Sequence, residues 1–296
     1  MRHGLELFLL SFLALFLELM VIRWAPSVVR MVAYYANLML ISSFLGLGIG
    51  AMLAGARKSL FSWLPVLLLV SVGVLLLSRQ LTLPGSLAEH RFFSQAPRLA
   101  GYLSLIAIFL ANAGVFVPLG QRIGSLFETL PPLHAYSWDL GGSLAGTVCF
   151  GLFSLNFFSP ALGMGFVLLT ILLLLPVRKW PLFVPLLALV LFCVVRSNDP
   201  NAVWSPYYYI TVREMSHDYR YQGNRSPALR EAKPDLRDMQ DPPTYAVSVN
   251  HDFYQPHGTM DPDRYSPGQK AGILKGRQAY DLPYQLAPAH RSVLVL

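Results

Sequence analysis

The chain has 296 residues, 54% of them hydrophobic and 13% charged, with a formal net charge of +7. Residues 1–196 hold 12 Lys+Arg against 5 Asp+Glu, whereas residues 197–296 hold 11 of each. The basic excess therefore flanks apolar runs, where it anchors to lipid headgroups, and this excludes nucleic acid as the partner behind the high pI. Cys149 and Cys193 both lie in apolar runs, which excludes a disulfide framework.

Met1-Arg2-His3 followed by an apolar run has the outline of a signal peptide. The run is too long for one, carries Glu6 and Glu18, and lacks a small-residue cleavage site. It reads as a retained first helix. Seven runs of near membrane-crossing length follow from the hydropathy pattern: 5–24, 34–55, 60–78, 101–119, 138–158, 160–176 and 180–196. The expected fold class is an α-helical polytopic membrane bundle over 1–196, then a small β-rich cap leading into a truncated Rossmann-like domain over 197–296.

Pro65, Pro118 and Pro185 are tolerated where neighbouring helices satisfy the freed carbonyls. Residues 79–100 form the longest break and read as an interfacial loop. With seven spans, six Lys or Arg fall on each side of the membrane, so positive charge does not orient the bundle.

Gly46, Gly50, Ala51 and Gly55 form small-xxx-small pairs within one span and predict close helix packing rather than a nucleotide loop. Gly141, Gly142, Ala145 and Gly146 predict the same for the fifth span. Glu18 lies inside the first span, where a carboxylate needs a partner, a proton or water. Arg23 is five residues on, about 140° around the helix, a poor same-helix partner that reads as snorkelling to the interface. Asp139, in Ser137-Trp138-Asp139, reads either as a helix cap or as part of a buried polar cluster with Glu18. Glu6, at a helix start, reads as a dipole partner.

In the tail, residues 204–212 (WSPYYYITV) predict a strand opened by a proline, and Tyr245–Asn250 predicts a second. Residues 216–243 read as a loop. Residues 268–286, around Tyr280, read as a helix or helix-loop. Val293–Leu296 reads as the buried strand that opens a nucleotide-binding βαβ unit, with the glycine-rich turn expected beyond Leu296.

The order WSPY…I, a strand ending in Asn, a Gln, a Tyr on a helix and then VLVL resembles the polyamine aminopropyltransferases, the spermidine synthase family. Glu18 with Arg23 in the first span, and the run Tyr136–Ser143, are similar to the membrane-integrated bacterial group of spermidine-synthase-like proteins. The resemblance covers nearly the whole chain. It implies binding of decarboxylated S-adenosylmethionine or S-adenosylmethionine by the full-length form, with no cofactor held by this chain alone. It also implies a polyamine or other small cationic substrate.

Position by position, the family's SPYQ glutamine falls on Tyr208, its later glutamine on Gln255 and its helix tyrosine on Tyr280. Asp281 follows where the family has histidine. These four are the implied substrate or cofactor contacts. No catalytic residue and no metal ligand is assigned, because the family's glycine-rich turn and catalytic aspartates follow the VLVL strand. The implied setting is a bacterial inner membrane with a cytoplasmic tail. A transporter-like bundle with a regulatory tail, supported by Glu18 and Asp139, is the competing reading. A homodimeric anchor without activity is a third.

Overall fold

The computed structural model describes residues 2–35, 37–81, 99–156, 158–200, 202–215, 244–250, 252–265 and 270–278. Contacts divide the chain into two units. The first is Met1–Ile210 with Val249–Phe253, and the second is Thr211–Ser248 with Tyr254–Leu296.

The first unit is built from helices. They are α1 (Arg2–Val28), α2 (Arg30–Tyr34), α3 (Leu38–Met52), α4 (Leu64–Leu81), α5 (Leu99–Thr129), α6 (Pro132–Leu155), α7 (Pro160–Leu174) and α8 (Trp180–Ser197). Proline sits in the first turn of α6, α7 and α8, where the missing N–H costs no intrahelical bond. The Ser159 side chain caps α7 by accepting from the Leu162 N–H.

Helices occupy all seven expected places, but seven spans are not what the structure supports. Among the described residues, four helical segments are long and apolar enough to cross a membrane: His3–Val28, Phe61–Arg79, Gly101–Thr129 and Val177–Ser197. At a rise of about 1.5 Å per residue, the 15 residues of α3 or α7 reach only about 22 Å against a hydrocarbon core of about 30 Å. α6 is 24 residues long but begins with His134, Ser137 and Asp139, which lower its hydropathy.

α1 is the axis of the unit and is buried along most of its length, with Leu10, Leu13, Leu17, Met20 and Trp24 in the core. It packs chiefly on α6, while α3 packs along α5. Both contacts are backbone-close. A Cβ on Gly46 would strike the Ala113 carbonyl, and one on Gly142 would strike the Phe8 carbonyl. The packing role expected of Gly46, Gly50, Gly142 and Gly146 thus holds, with α5 and α1 as the opposing surfaces. Gly55 differs: its Cβ position is open space, because α3 has already ended at Met52.

The strands are β1 (Ala202–Trp204), β2 (Tyr209–Met215), β3 (Thr244–Val249) and β4 (Asp252–His257), hydrogen-bonded in chain order. The expected strand over 204–212 is interrupted by a turn. Ser205 Oγ accepts from the Tyr207 and Tyr208 amides, and the Ser205 N–H bonds the Tyr208 carbonyl at 2.9 Å. Pro206 lies in that turn rather than opening a strand. The second expected strand is β3. β4 follows after Asn250, whose φ of 51° suits asparagine at a tight turn. Residues 270–278 are helical, within the stretch expected to be helix. The interfacial loop expected over 79–100 falls largely outside the described residues, as does the strand expected over Val293–Leu296. Among the described residues, no Rossmann-like domain is supported.

Candidate functional site

Over residues 4–23, α1 carries four polar side chains, at positions 6, 11, 18 and 23. They follow one another along a stretch that is otherwise apolar, so each needs a partner from a neighbouring element or leaves a buried group without one.

Glu6 is bridged to Arg122 on α5, with 2.5 Å between Arg122 Nη2 and Glu6 Oε1. It is an inter-helix ion pair, not merely a dipole partner. Ser11 Oγ donates to Asp139 Oδ1 on α6 at 2.5 Å. Asp139 is no helix cap, since α6 begins at Pro132, two turns earlier.

Arg23 has the richest surroundings. Its guanidinium donates to Ser154 Oγ on α6 and to the Ser205 carbonyl in the turn after β1. It lies over the Phe158 ring at 4.4 Å from the centroid and near the Trp204 ring at 5.8 Å. Ser154 Oγ in turn donates to the Pro206 carbonyl at 3.1 Å. Phe158, Trp204 and Tyr209 continue as a run of rings, with centroids 4.7 Å and 4.8 Å apart. The Tyr209 amide donates to Asn250 Oδ1 at 3.1 Å, and the Asn250 amide donates to the Tyr209 carbonyl at 2.8 Å. The guanidinium's planar fork, with donors on two sides and a face for aromatic rings, fits this role better than a lysine ammonium does. Arg23 therefore clasps the start of the tail to the end of α1.

Glu18 is only 2% exposed, and neither carboxyl oxygen has a hydrogen-bond partner among the described residues. Arg23 is engaged elsewhere, as its angular offset leads one to expect. Asp139 is not its neighbour either. It bonds Ser11, which lies two helical turns, about 10 Å, from Glu18 along α1. The fifth expected span does approach α1 through Gly142, but at the level of Phe8 rather than of Glu18. The expected Glu18–Asp139 cluster is therefore not formed.

Of the four tail residues implied by the family resemblance, only Tyr208 has a described side chain. It is 52% exposed on the turn beside Tyr207, with ring centroids 6.4 Å apart. Gln255 lies on β4, and its side chain lies outside the described residues, as do Tyr280 and Asp281 entirely. Among the described residues, no three His, Cys, Asp or Glu side chains converge to hold a metal ion.

Sequence reasoning missed two buried amides. Asn112 Nδ2 lies within hydrogen-bond reach of Ser42 Oγ (2.6 Å), Ser43 Oγ (3.0 Å) and the Met39 carbonyl (3.3 Å). Gln121 Nε2 donates to the carbonyls of Leu53 (3.2 Å) and Lys58 (3.0 Å), and its Oε1 accepts from the Leu60 N–H at 2.7 Å. The readable signal is an amide side chain inside an apolar helical run, where it must find partners on other elements.

No family model matches the chain, and no curated protein or solved structure matches it either.

Proposed function

We propose that the chain is the membrane anchor and the start of the soluble cap of a spermidine-synthase-like transferase. The observation that carries this reading is the Arg23 clasp. It ties the Trp204-Ser205-Pro206-Tyr207 turn, the segment that resembles the family's first hairpin, to the end of a membrane-length helix. A junction of this kind fixes the start of the tail to the helices. In this reading the seven helical places act together as the membrane domain, the shorter helices crossing with the support of their neighbours. The full-length form uses decarboxylated S-adenosylmethionine or S-adenosylmethionine to transfer an aminopropyl or methyl group to a polyamine or other amine.

Gln255, Tyr280 and Asp281 supply the amide, aromatic face and carboxylate that such a cofactor and a cationic acceptor require. The tail is cytoplasmic, on the side of the nucleotide pool, and the membrane is a bacterial inner membrane. The test is aminopropyl transfer from labelled decarboxylated S-adenosylmethionine to a diamine, measured with the protein made from its complete reading frame. Transfer is expected. A complete protein that neither turns over nor binds either adenosyl compound would overturn the reading.

A second reading is favoured by Glu18, whose buried oxygens have no hydrogen-bond partner among the described residues. Such carboxylates line substrate paths in transporters. Uptake of a labelled polyamine into proteoliposomes, abolished by E18Q, would support that reading over the first.

A further inference from the structure

The tyrosines and tryptophans at the surface of the helical unit are gathered at its two ends. Contacts between helices define those ends. Arg122 meets Glu6 near the start of α1, and Lys179 Nζ donates to Ser62 Oγ where α8 and α4 begin. Arg79 donates to the Ser197 carbonyl where α4 and α8 finish, and Gly101, opening α5, lies against Met31 just past α1. At the Arg2 end stand Trp63, Tyr136 and Trp138, all exposed. At the Val28 end stand Tyr35, Tyr102 and the pair Tyr207–Tyr208. The large exposed side chains between them are aliphatic or phenylalanine, such as Ile106, Leu110, Leu144 and Phe192, and the exposed Thr147 turns its hydroxyl back to the Ser143 carbonyl. Two amphipathic aromatic levels separated by an apolar band are the arrangement a bilayer selects, because such rings partition into the headgroup layer.

From this arrangement we propose that Tyr207 and Tyr208 form a lipid-headgroup anchor that seats the first turn of the tail in the membrane interface. The proposal rests on the membrane reading of the helices, not on the transferase reading.

Depth follows from the helix geometry. The 26-residue segment His3–Val28 is about 39 Å long. Centred on a hydrocarbon core of about 30 Å, it overshoots by roughly 4–5 Å at each end. Arg23 lies five residues, or about 7.5 Å, before that end. Its backbone is therefore just inside the hydrocarbon boundary, and its guanidinium reaches outward to Ser205. The turn closes on itself from Ser205 to Tyr208. Both tyrosines thus stay within about 7 Å of the clasped carbonyl. The headgroup layer is about 5–7 Å thick on each side, so the turn starts at headgroup depth. With Tyr207 77% exposed and Tyr208 52% exposed, the rings are free to meet lipid.

The turn's rigidity adds to this. Ser205 Oγ holds both tyrosine amides, and Arg23 holds the Ser205 carbonyl. Little backbone freedom is left to lose on contact with the interface, which favours binding.

The experiment is site-directed spin labelling in nanodiscs of defined phospholipid composition. Cys149 and Cys193 are first replaced by serine, and single cysteines are then placed at 207, 208 and 106. Depth is read from relaxation by oxygen and by a water-soluble nickel chelate, with the free spin label in buffer as the aqueous reference. The label at 106 is expected in hydrocarbon, and those at 207 and 208 at headgroup depth. A label at 106 that behaves as aqueous would overturn the membrane reading itself. Labels at 207 and 208 that match the aqueous reference, with 106 in hydrocarbon, would overturn this inference alone. So would immobilisation of the 208 label by S-adenosylmethionine, which would return Tyr208 to the cofactor. If a cysteine at 207 or 208 prevents folding, Y207F and Y208F in the parent chain give a second measurement. Loss of the hydroxyls should weaken protection of residues 204–209 from hydrogen exchange in nanodiscs but not in detergent. Equal exchange in both media would overturn the proposal.

Discussion

Ser11 and Asp139, 128 positions apart in the chain, share a 2.5 Å hydrogen bond that joins α1 to α6. The bond sits between the levels of Phe8 and Phe12, whose carbonyls lie against Gly142 and Gly146. A polar pair and two glycine contacts thus lie on one helix–helix seam. The glycines set how closely the backbones approach, and the pair sets the register. In a membrane such hydrogen bonds are worth about 0.6 kcal/mol on average and rarely more than about 1.7. A double-mutant cycle of S11A and D139N, followed by unfolding in detergent, should show a coupling in this range. Strict additivity would mean that the bond contributes nothing.

G142L and G46L should each be strongly destabilising, because the new side chain meets backbone rather than a movable side-chain end. Overpacking of this kind costs about 1–3 kcal/mol or more. Gly48 faces open space inside α3, so G48A should stabilise by up to about 1 kcal/mol through helix propensity alone. Thermal unfolding of the three variants would test the contrast. A tolerated G142L would mean that α1 and α6 do not approach as described.

Replacing Arg23 by lysine should not preserve the clasp. An ammonium has no planar face for Phe158 and cannot match the guanidinium's fork between Ser154 and Ser205. R23K and R23A should both speed hydrogen exchange at residues 204–209, R23A the more. Unchanged protection in R23A would show that the ring stack alone holds the turn.

E18Q should fold as well as the parent chain, because no hydrogen bond of the described residues is lost with the charge. E18K should fold poorly, since it puts a longer side chain and an ammonium into a packed interior. Melting temperatures in detergent would decide. A steep loss in E18Q would reveal a partner for the carboxyl beyond the described residues.

In the second unit, Lys270 donates to Asp263 at 2.7 Å. This hydrogen bond, aided by the lysine charge, holds the Asp263 carboxyl below the usual aspartate range. Because the folded-state value is the lower one, the pair's contribution is present above the unfolded value and is lost as pH falls through the folded one. An NMR titration should find Asp263 titrating low, and K270A should return it to the ordinary range. The pair is exposed, so its effect on overall stability should be small.

The helices were legible because apolar runs bounded by charge and proline are strong signals, and the glycine spacing in α3 and α6 carried real packing information. The number of spans was not, because hydropathy sees a 15-residue helix and a 20-residue helix as the same run when loop residues are also apolar. The spacing makes Arg23 a poor partner for Glu18 that snorkels to the interface, but does not say what it meets there. Its partners Ser154 and Ser205 are 131 and 182 residues away, and no local pattern marks them. The cap reading of Asp139 follows from an apolar run that starts only at 138, whereas Pro132 in the first turn marks where α6 begins. The turn at Ser205 was hidden by the β-forming residues on both sides of it.

Gln121 belongs to α5, yet the groups it satisfies lie in the link between α3 and α4. As the chain emerges from the ribosome, that link is made some 60 residues before the amide that completes it. Until α5 arrives, the carbonyls of Leu53 and Lys58 and the amide of Leu60 must be served by water or headgroups. The link between α3 and α4 therefore stays unfinished until α5 docks, and the docking of α5 is the step that locks it.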